Sequence, residues 1–142
     1  MTTPRVRFGL VRPIRDLPEF LDWAEYADGA GYELTGFGDS QTLWADPHAM
    51  MAATAVRTKR MLLGPTVTNP ITRHPTVAAN AIMTIQKLSR GRAFFGIGPG
   101  DSAVYNIGAK HLPRKELEEY ALAVKGLCAG QEVPYQIGRA HV

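Results

Sequence analysis

Cysteine is nearly absent from this sequence, in which Cys128 stands alone. A single cysteine excludes an internal disulfide framework and favours a reducing compartment, so we predict a cytoplasmic protein. No set of cysteine and histidine residues has the spacing of metal ligands, and we therefore expect no metal ion. The sequence also lacks an apolar run of about 20 residues and the apolar core of a signal peptide, which predicts no membrane partner.

A strong charge of one sign is missing as well. The formal net charge is only +3, and the basic residues are scattered along the chain instead of being gathered on one face. This distribution excludes an obvious nucleic-acid surface. With 45% hydrophobic and 20% charged residues, the 142-residue chain has the composition of one ordinary globular core.

Glycine, by contrast, is concentrated in one informative stretch, residues 92–101. Bulky residues, Phe94 and Phe95 among them, predict a buried strand there, and the strand runs into alternating glycines that end at Asp101. Glycine lets another molecule approach the backbone closely, so a flat or phosphorylated ligand could bind at this turn. Asp101 stands where the dinucleotide fingerprint needs a glycine, and no Gly-Lys-Ser/Thr follows. A purely structural turn therefore remains an equal alternative at this point.

Strand and helix patterns alternate along the chain about every 30 residues. We predict strands over 5–11, 34–38, 61–68 and 92–97, with a helix after each and a loop over 102–113. This alternation predicts an α/β fold with a parallel sheet, either an open doubly wound sheet or part of a closed (β/α)8 barrel. In both architectures the functional residues lie at the carboxyl ends of the strands.

Helix boundaries are marked by capping residues. Asp16 with Glu19 predicts the start of the first helix, and Asp46 followed by Pro47 predicts the start of the second. In the third helix, which we start at Pro75, the spacing of apolar residues predicts an inward face formed by Val77, Ala81, Ile85 and Leu88.

The histidines receive structural interpretations. His74 precedes the third helix and is predicted to cap or pack. His48, in the first turn of the second helix, and His111, in a polar loop, are predicted to be solvated.

Four motifs, taken in order and at these spacings, resemble the luciferase-like monooxygenase superfamily, and most closely its deazaflavin-dependent, methylenetetrahydromethanopterin reductase-like branch. They are Gly-Asp-Ser-Gln at 38–41 with Trp44, the segment 64–75, Leu-Ser-Arg-Gly-Arg at 88–92, and Gly-Ile-Gly-Pro-Gly-Asp at 96–101. The resemblance implies that the chain is the N-terminal half, about four βα units, of a (β/α)8 TIM barrel.

We also predict a domain boundary near the end of the chain. We assign residues 1–136 to the barrel. The last six residues, 137–142, can be encoded by ATC-GGA-AGA-GCA-CAC-GTC, which looks like a sequencing adapter, and are predicted to be a non-native tail.

The site residues that the resemblance implies follow strands 2, 3 and 4. Thr66 and Val67 match a bulged strand end that presses on the cofactor ring, with a cis peptide between them. The acid that can protonate the reduced ring matches Asp101, and Trp44 matches an aromatic wall on the substrate side. The cofactor-binding set as a whole is Asp39, Thr66, Val67, Thr68, Asn69, Gly98, Gly100 and Asp101.

The catalytic set implied in the same way is Asp101, Asp39 and Ser40. Ser40 departs from the pattern, because some relatives carry a histidine that acts as an acid or base, and a serine hydroxyl does not titrate near neutral pH. This departure leaves the exact reaction open.

The implied function is hydride transfer between a deazaflavin coenzyme, F420, and a small organic substrate. One alternative is an FMN-dependent luciferase-like monooxygenase, and another is a non-catalytic flavin-binding or degenerate barrel. We expect the truncated chain itself to be inactive and the full-length protein to be a homodimer that uses a small-molecule substrate.

Overall fold

The computed structural model describes residues 6–135, so the predicted tail over 137–142 lies outside the described residues. Strands and helices alternate as the sequence predicted. Their order is β1 (Gly9–Val11), α1 (Leu17–Ala30), β2 (Leu34–Phe37), α2 (Pro47–Arg57), β3 (Leu62–Pro65), α3 (Pro75–Leu88), α4 (Ser102–Tyr105) and α5 (Arg114–Cys128). The short helix α4 lies where the sequence predicted a loop.

The three strands form one parallel sheet in the order β1-β2-β3. Gly9 pairs with Leu34, and Leu34 pairs with Leu62, so the strands begin at the same level and end at the same edge. This arrangement matches the first units of a (β/α)8 barrel and confirms the predicted fold class. β1 is shorter than the predicted strand over 5–11.

The fourth predicted strand is not a regular strand. The segment after α3 joins β3 through two isolated parallel bridges, Ala93 to Leu63 and Ile97 to Thr68. Leu63 and Thr68 are five residues apart, whereas their partners Ala93 and Ile97 are four residues apart. The segment that continues β3 therefore contains a one-residue bulge. The bulge interrupts the ladder. The side chains of Phe94, Phe95 and Ile97 are half-buried instead of fully buried.

The predicted helix caps are present. The side chain of Asp16 accepts a hydrogen bond from Glu19 N at 2.8 Å, and that of Asp46 accepts one from Ala49 N at 2.9 Å. His74 caps α3, as predicted, by accepting from Thr76 N at 3.3 Å. These side chains satisfy amides that have no partner within the first turn of a helix.

The core lies between the sheet and the helices. Phe37 and Leu63 of the sheet pack in one cluster with Phe20, Met51 and Met61. A second cluster joins α3 to α5 through Ala78, Ala79, Tyr120 and Val124.

The predicted inward face of α3 was partly wrong. Val77 is 55% exposed and Leu88 is 42% exposed, whereas Ala78, Ala79 and Ile82 are buried together with Ile85. The small alanines let α3 approach α5 closely, and this packing rotates the buried face by one residue from the prediction.

Two side chains join the elements at the end of the sheet where the strands begin. The Asp28 carboxylate accepts hydrogen bonds from the backbone amides of Lys59, Arg60 and Met61 at 2.7–2.9 Å. Arg92 donates to the carbonyl oxygens of Ala55, Thr58, Met61 and Ser89 at 2.7–2.9 Å. Both therefore hold β3 against the ends of neighbouring helices.

Within residues 6–135, no helix is long and apolar enough to cross a membrane.

Candidate functional site

The carboxyl ends of β2 and β3 and the glycine-rich turn after Ile97 surround one cavity of about 390 Å³. Its volume is in the range of small-molecule sites. The structure brings all ten residues of the predicted site to this cavity, together with four that the sequence reasoning did not assign. The lining residues are Gly38, Asp39, Ser40, Trp44, Thr66, Val67, Thr68, Asn69, Gly98, Pro99, Gly100, Asp101, Ser102 and Ala103.

The bulge after β3 forms one wall of the cavity. The Thr66–Val67 peptide bond is cis, as the resemblance implied. Val67 is 50% exposed and projects toward the glycine-rich turn. The Thr66 hydroxyl is buried without a hydrogen-bond partner. The wall therefore offers one apolar surface and one polar atom that a ligand could satisfy.

The glycines of the cavity are places where a side chain would not fit. A Cβ at Gly98 would lie 2.9 Å from Val67 Cγ2, and a Cβ at Gly38 would lie 3.3 Å from the Trp44 ring. Gly100 has φ +109°, and its Cβ would lie 2.4 Å from Val104 Cγ2. Gly98 and Gly38 thus allow Val67 and Trp44 to close on the backbone, while Gly100 makes the turn that carries Asp101.

Asp101 lies at the mouth of the cavity and is exposed. Its backbone carbonyl accepts from Val104 N at 2.8 Å and from Tyr105 N at 3.0 Å, which begins α4. Its side chain, however, makes no capping hydrogen bond to this helix. The carboxylate is thus placed at the cavity by the backbone and is not engaged as a cap.

Asp39 is held very differently, because its side chain is only 2% exposed. Its Oδ2 accepts a hydrogen bond from Thr68 Oγ1 at 2.6 Å and also forms an ion pair with Arg73 Nη1. Arg73 Nη2 lies 3.2 Å from Asp46 Oδ2. The two acids predicted to act at the ring therefore differ: Asp101 is open to the cavity mouth, and Asp39 is ion-paired beneath it.

A set of hydrogen bonds joins the loop after β2 to α4. Ser40 Oγ and Ser102 Oγ are 2.5 Å apart, Gln41 Nε2 donates to Ala103 O at 2.8 Å, and Asn106 Nδ2 donates to Thr42 Oγ1 at 2.6 Å. These bonds hold the Ser40 and Ser102 hydroxyls together at the edge of the cavity.

The prediction that His48 is solvated was wrong. Its Nε2 is buried without a hydrogen-bond partner. Burial lowers the pKa of His48, and the nearby positive charge of Arg73 lowers it further. His111 is exposed, as predicted, and its Nδ1 lies 3.2 Å from the Tyr105 hydroxyl.

Two features of the site were not predicted from the sequence. Ser102 could have been found, since it follows the glycine-rich turn directly and a serine there can face any ligand held by the turn. The role of Arg73 carried no local signal, because its partner Asp39 is 34 residues earlier in the chain. Among residues 6–135, no three His, Cys, Asp or Glu side chains are grouped so as to hold a metal ion.

This chain is similar in sequence to one protein family and to several proteins of known activity. The family described as Luciferase-like monooxygenase matches residues 1–140. The chain is 33% identical over 115 residues to the 5,10-methylenetetrahydromethanopterin reductase of Archaeoglobus fulgidus, covering 80% of this chain and 34% of that protein. It is 32% identical over 120 residues to limonene 1,2-monooxygenase of Rhodococcus erythropolis, covering 80% of this chain and 31% of that protein.

A solved structure shows the same fold. The coenzyme F420-dependent tetrahydromethanopterin reductase from Methanopyrus kandleri superposes with a TM-score of 0.78 at 26% identity, covering 87% of this chain and 40% of that one. The chain thus spans about a third of the length of these curated relatives.

Proposed function

Since the chain belongs to the luciferase-like monooxygenase family, we propose that it forms the ring-binding half of an oxidoreductase that uses a deazaflavin coenzyme. The coenzyme would exchange a hydride with a small organic substrate. The observation that carries this proposal is the single cavity at the carboxyl ends of the strands, which all of the predicted site residues line. Parallel α/β barrels place their chemistry at this end of the sheet.

The cavity fits a flat ring. Val67 on the bulge packs against the backbone of Gly98, which has no side chain, and together they can form a surface for one face of a ring. The Thr66 hydroxyl, buried without a partner, supplies a hydrogen-bond donor for a ring carbonyl or nitrogen. Trp44, whose ring packs against Gly38, lines the same cavity and would wall the space left for a substrate.

Hydride chemistry is supplied by the coenzyme when it is bound, so the protein needs to position the ring, exclude water and place a proton donor. We assign the proton-donor role to Asp101, whose side chain is free of any capping bond and stands at the cavity mouth. Asp39 supports the ring pocket from below, and Ser40 supplies a hydroxyl that can orient a substrate oxygen. The described cavity lining contains no lysine or arginine. We therefore expect the phosphate-bearing tail of the coenzyme to bind on later βα loops of a complete barrel.

An FMN-dependent monooxygenase is the second candidate. The similarity to a limonene monooxygenase supports it, and the same cavity would accept either ring. We favour the deazaflavin because the reductase that superposes on this chain is named for its dependence on F420, and because Asp101 offers a carboxyl group where a reduced ring needs a proton partner. The third candidate, a non-catalytic flavin-binding barrel, is favoured only by Ser40.

Titration of the chain with coenzyme F420 and, separately, with FMN tests the proposal. We expect F420 fluorescence to change on binding, with an affinity at least about tenfold above that for FMN, a preference worth about 1.4 kcal/mol. Tighter binding of FMN would favour the monooxygenase, and binding of neither ring would contradict the proposal. Substituting Lys110, which lies outside the cavity, with alanine provides a control that leaves both titrations unchanged.

A further inference from the structure

Hydrogen bonds and an ion pair beneath the cavity connect several of the residues that line it. Thr68 Oγ1 donates to Asp39 Oδ2 at 2.6 Å, and Arg73 pairs with the same oxygen. Between Thr68 and Arg73 the chain is folded by Asn69, whose Oδ1 accepts from the amides of Ile71 and Thr72 at 3.0 Å each. The loop that follows β3 is thereby returned to the end of β2.

Arg73 is fixed from two further directions. Its second nitrogen lies 3.2 Å from Asp46 Oδ2, and Asp46 caps α2. Its backbone carbonyl accepts from the hydroxyl of Tyr120 in α5 at 2.8 Å. Burial raises the pKa of Tyr120 to about 12, so this hydroxyl keeps the proton that it donates. One arginine thus connects the ends of β2 and β3 with α2 and α5.

We propose that Arg73 is a positioning residue: its guanidinium, acting through Asp39, holds Thr68 and Asn69 at the wall of the cavity. The inference rests on the proposed function, because it gives those two residues their use in binding the ring. Arg73 itself does not line the cavity. The planar fork of the guanidinium suits this task, since it can contact two carboxylates at once, which an ammonium group does poorly.

The Asp39 carboxylate alone would not hold this wall. With its side chain 2% exposed, it needs a cationic partner, and a buried carboxylate without one draws in water or changes its contacts. His48 does not substitute for Arg73, because burial lowers its pKa and leaves the ring uncharged near neutral pH. Arg73 is accordingly the side chain on which the Asp39–Thr68 hydrogen bond depends.

Amide hydrogen exchange of the chain with Arg73→Gln tests the inference without a ligand. The amides of Thr68, Ile71 and Thr72 should exchange faster by about tenfold, the size of coupling expected between residues in contact. Arg57→Gln is the matched control, since it breaks an exposed arginine pair with Asp22 and Glu25 outside the site. Exchange that is unchanged at these three amides, or that accelerates equally throughout the chain, would overturn the proposal.

Two further variants separate positioning from general stability. Because Arg73 acts through Asp39, the double variant Asp39→Asn/Arg73→Gln should match Asp39→Asn alone at the three amides, whereas independent roles would make the two effects multiply. Arg73→Lys should recover part of the protection. Full recovery with lysine would indicate that the planar fork contributes nothing, which contradicts the role assigned to the guanidinium.

Ligand titration of the same variants links the wall to the ring. Arg73→Gln should weaken F420 binding by about tenfold through displacement of Thr68 and Asn69. If the parent chain binds neither F420 nor FMN, the proposed function fails, while the exchange pattern still decides whether Arg73 positions the wall. If F420 binds and Arg73→Gln leaves its affinity unchanged, the positioning role is wrong and the proposed function stands.

Discussion

At the scale of single residues, the site depends on side chains that are small or unengaged. Gly98 admits Val67 to the backbone, and the carboxylate of Asp101 is left without a capping bond. The proposed roles of the two residues differ: Gly98 leaves room because it has no side chain, and Asp101 would supply a titrating carboxyl group. Substitutions at these positions should therefore fail in different ways.

Gly98→Val should abolish ring binding without unfolding the chain. A Cβ at Gly98 would already lie 2.9 Å from Val67 Cγ2, so a branched side chain must displace Val67 or fill the cavity. Gly29→Ala is the matched control, because a Cβ added at this position in α1 would meet no atom within 4 Å. We expect that change to raise stability by about 0.5–1 kcal/mol. Fluorescence titration with F420 checks binding, and unaltered affinity in Gly98→Val would place the ring elsewhere.

Asp101→Asn should leave the ring bound and slow turnover. Asparagine keeps the shape of the side chain but has no titrating proton, and loss of a positioned proton donor costs about 10²–10⁴-fold in rate. The measurement is kcat against ring affinity in a complete barrel that contains this chain. Turnover at the parent rate would show that Asp101 has no acid role.

At the scale of secondary-structure elements, sequence patterns predicted the order and caps of the helices well. Asp16, Asp46 and His74 cap as expected because capping is local, involving a side chain and an amide two or three residues away. The irregular fourth strand could not be predicted in this way, since its pairing depends on a bulge in a different segment.

The site was predictable to a similar extent. Its lining residues follow strand ends and carry family motifs, so local sequence was enough to identify them. The ion pair between Asp39 and Arg73 and the burial of His48 arise from tertiary packing and left no periodic trace. The inward face of α3 was misplaced because close packing of Ala78 and Ala79 outweighed the larger side chain of Val77.

Asp28→Asn should weaken the junction between α1 and β3. Two of the three backbone amides donate to Oδ1 and one donates to Oδ2. In asparagine one of these oxygens becomes an NH2 group, which is itself a donor and would oppose a backbone N–H. We expect a loss of about 2 kcal/mol in the free energy of unfolding. Asp22→Asn, at an exposed ion pair, should cost less than about 1 kcal/mol. Urea unfolding at neutral pH distinguishes the two variants, and equal losses would contradict the assigned role of Asp28.

The same carboxylate should contribute to the dependence of stability on pH. Burial alone would raise the pKa of Asp28, but the three backbone hydrogen bonds outweigh it and lower the pKa. A lowered pKa means that this stabilisation is present above the unfolded value of about 3.9 and is lost as the pH falls through the folded value. Unfolding free energy measured from pH 6 to pH 2 should therefore decline less steeply in Asp28→Asn than in the parent. Parallel curves would show that the lowered pKa does not contribute.

At the scale of the whole molecule, the sheet has two unsatisfied edges. β1 pairs only with β2 within residues 6–135, and the segment 93–97 pairs only with β3 and its bulge. Apolar side chains accompany the first edge, where Val6 is 71% exposed, Phe8 68% and Val11 54%. Open parallel edges with apolar side chains favour association with another chain.

We therefore predict that the 142-residue chain is not a stable monomer. It should pair with a second copy or aggregate, because burial of these edges satisfies backbone groups and removes apolar surface from water. Light scattering coupled to size-exclusion chromatography measures the mass. Replacing Phe8 with lysine should shift the population toward monomer, and replacing the exposed Tyr26 of α1 with lysine should not. A cooperative monomer that binds the ring would contradict the prediction.

The parallel direction of all the strands restricts the symmetry of any closed pair. Only a twofold axis along the centre of the barrel brings β1 of one copy beside segment 93–97 of the other with both strands running the same way, and it does so twice. An axis perpendicular to the strands would instead place β1 beside β1 of the other copy, and that contact would be antiparallel. Under the first operator both cavities open on the same rim, half a turn apart. Such a closed dimer would bind two equivalents of coenzyme, whereas a barrel formed by a single chain would have one site. The stoichiometry measured in the titration would therefore report the symmetry of the assembly.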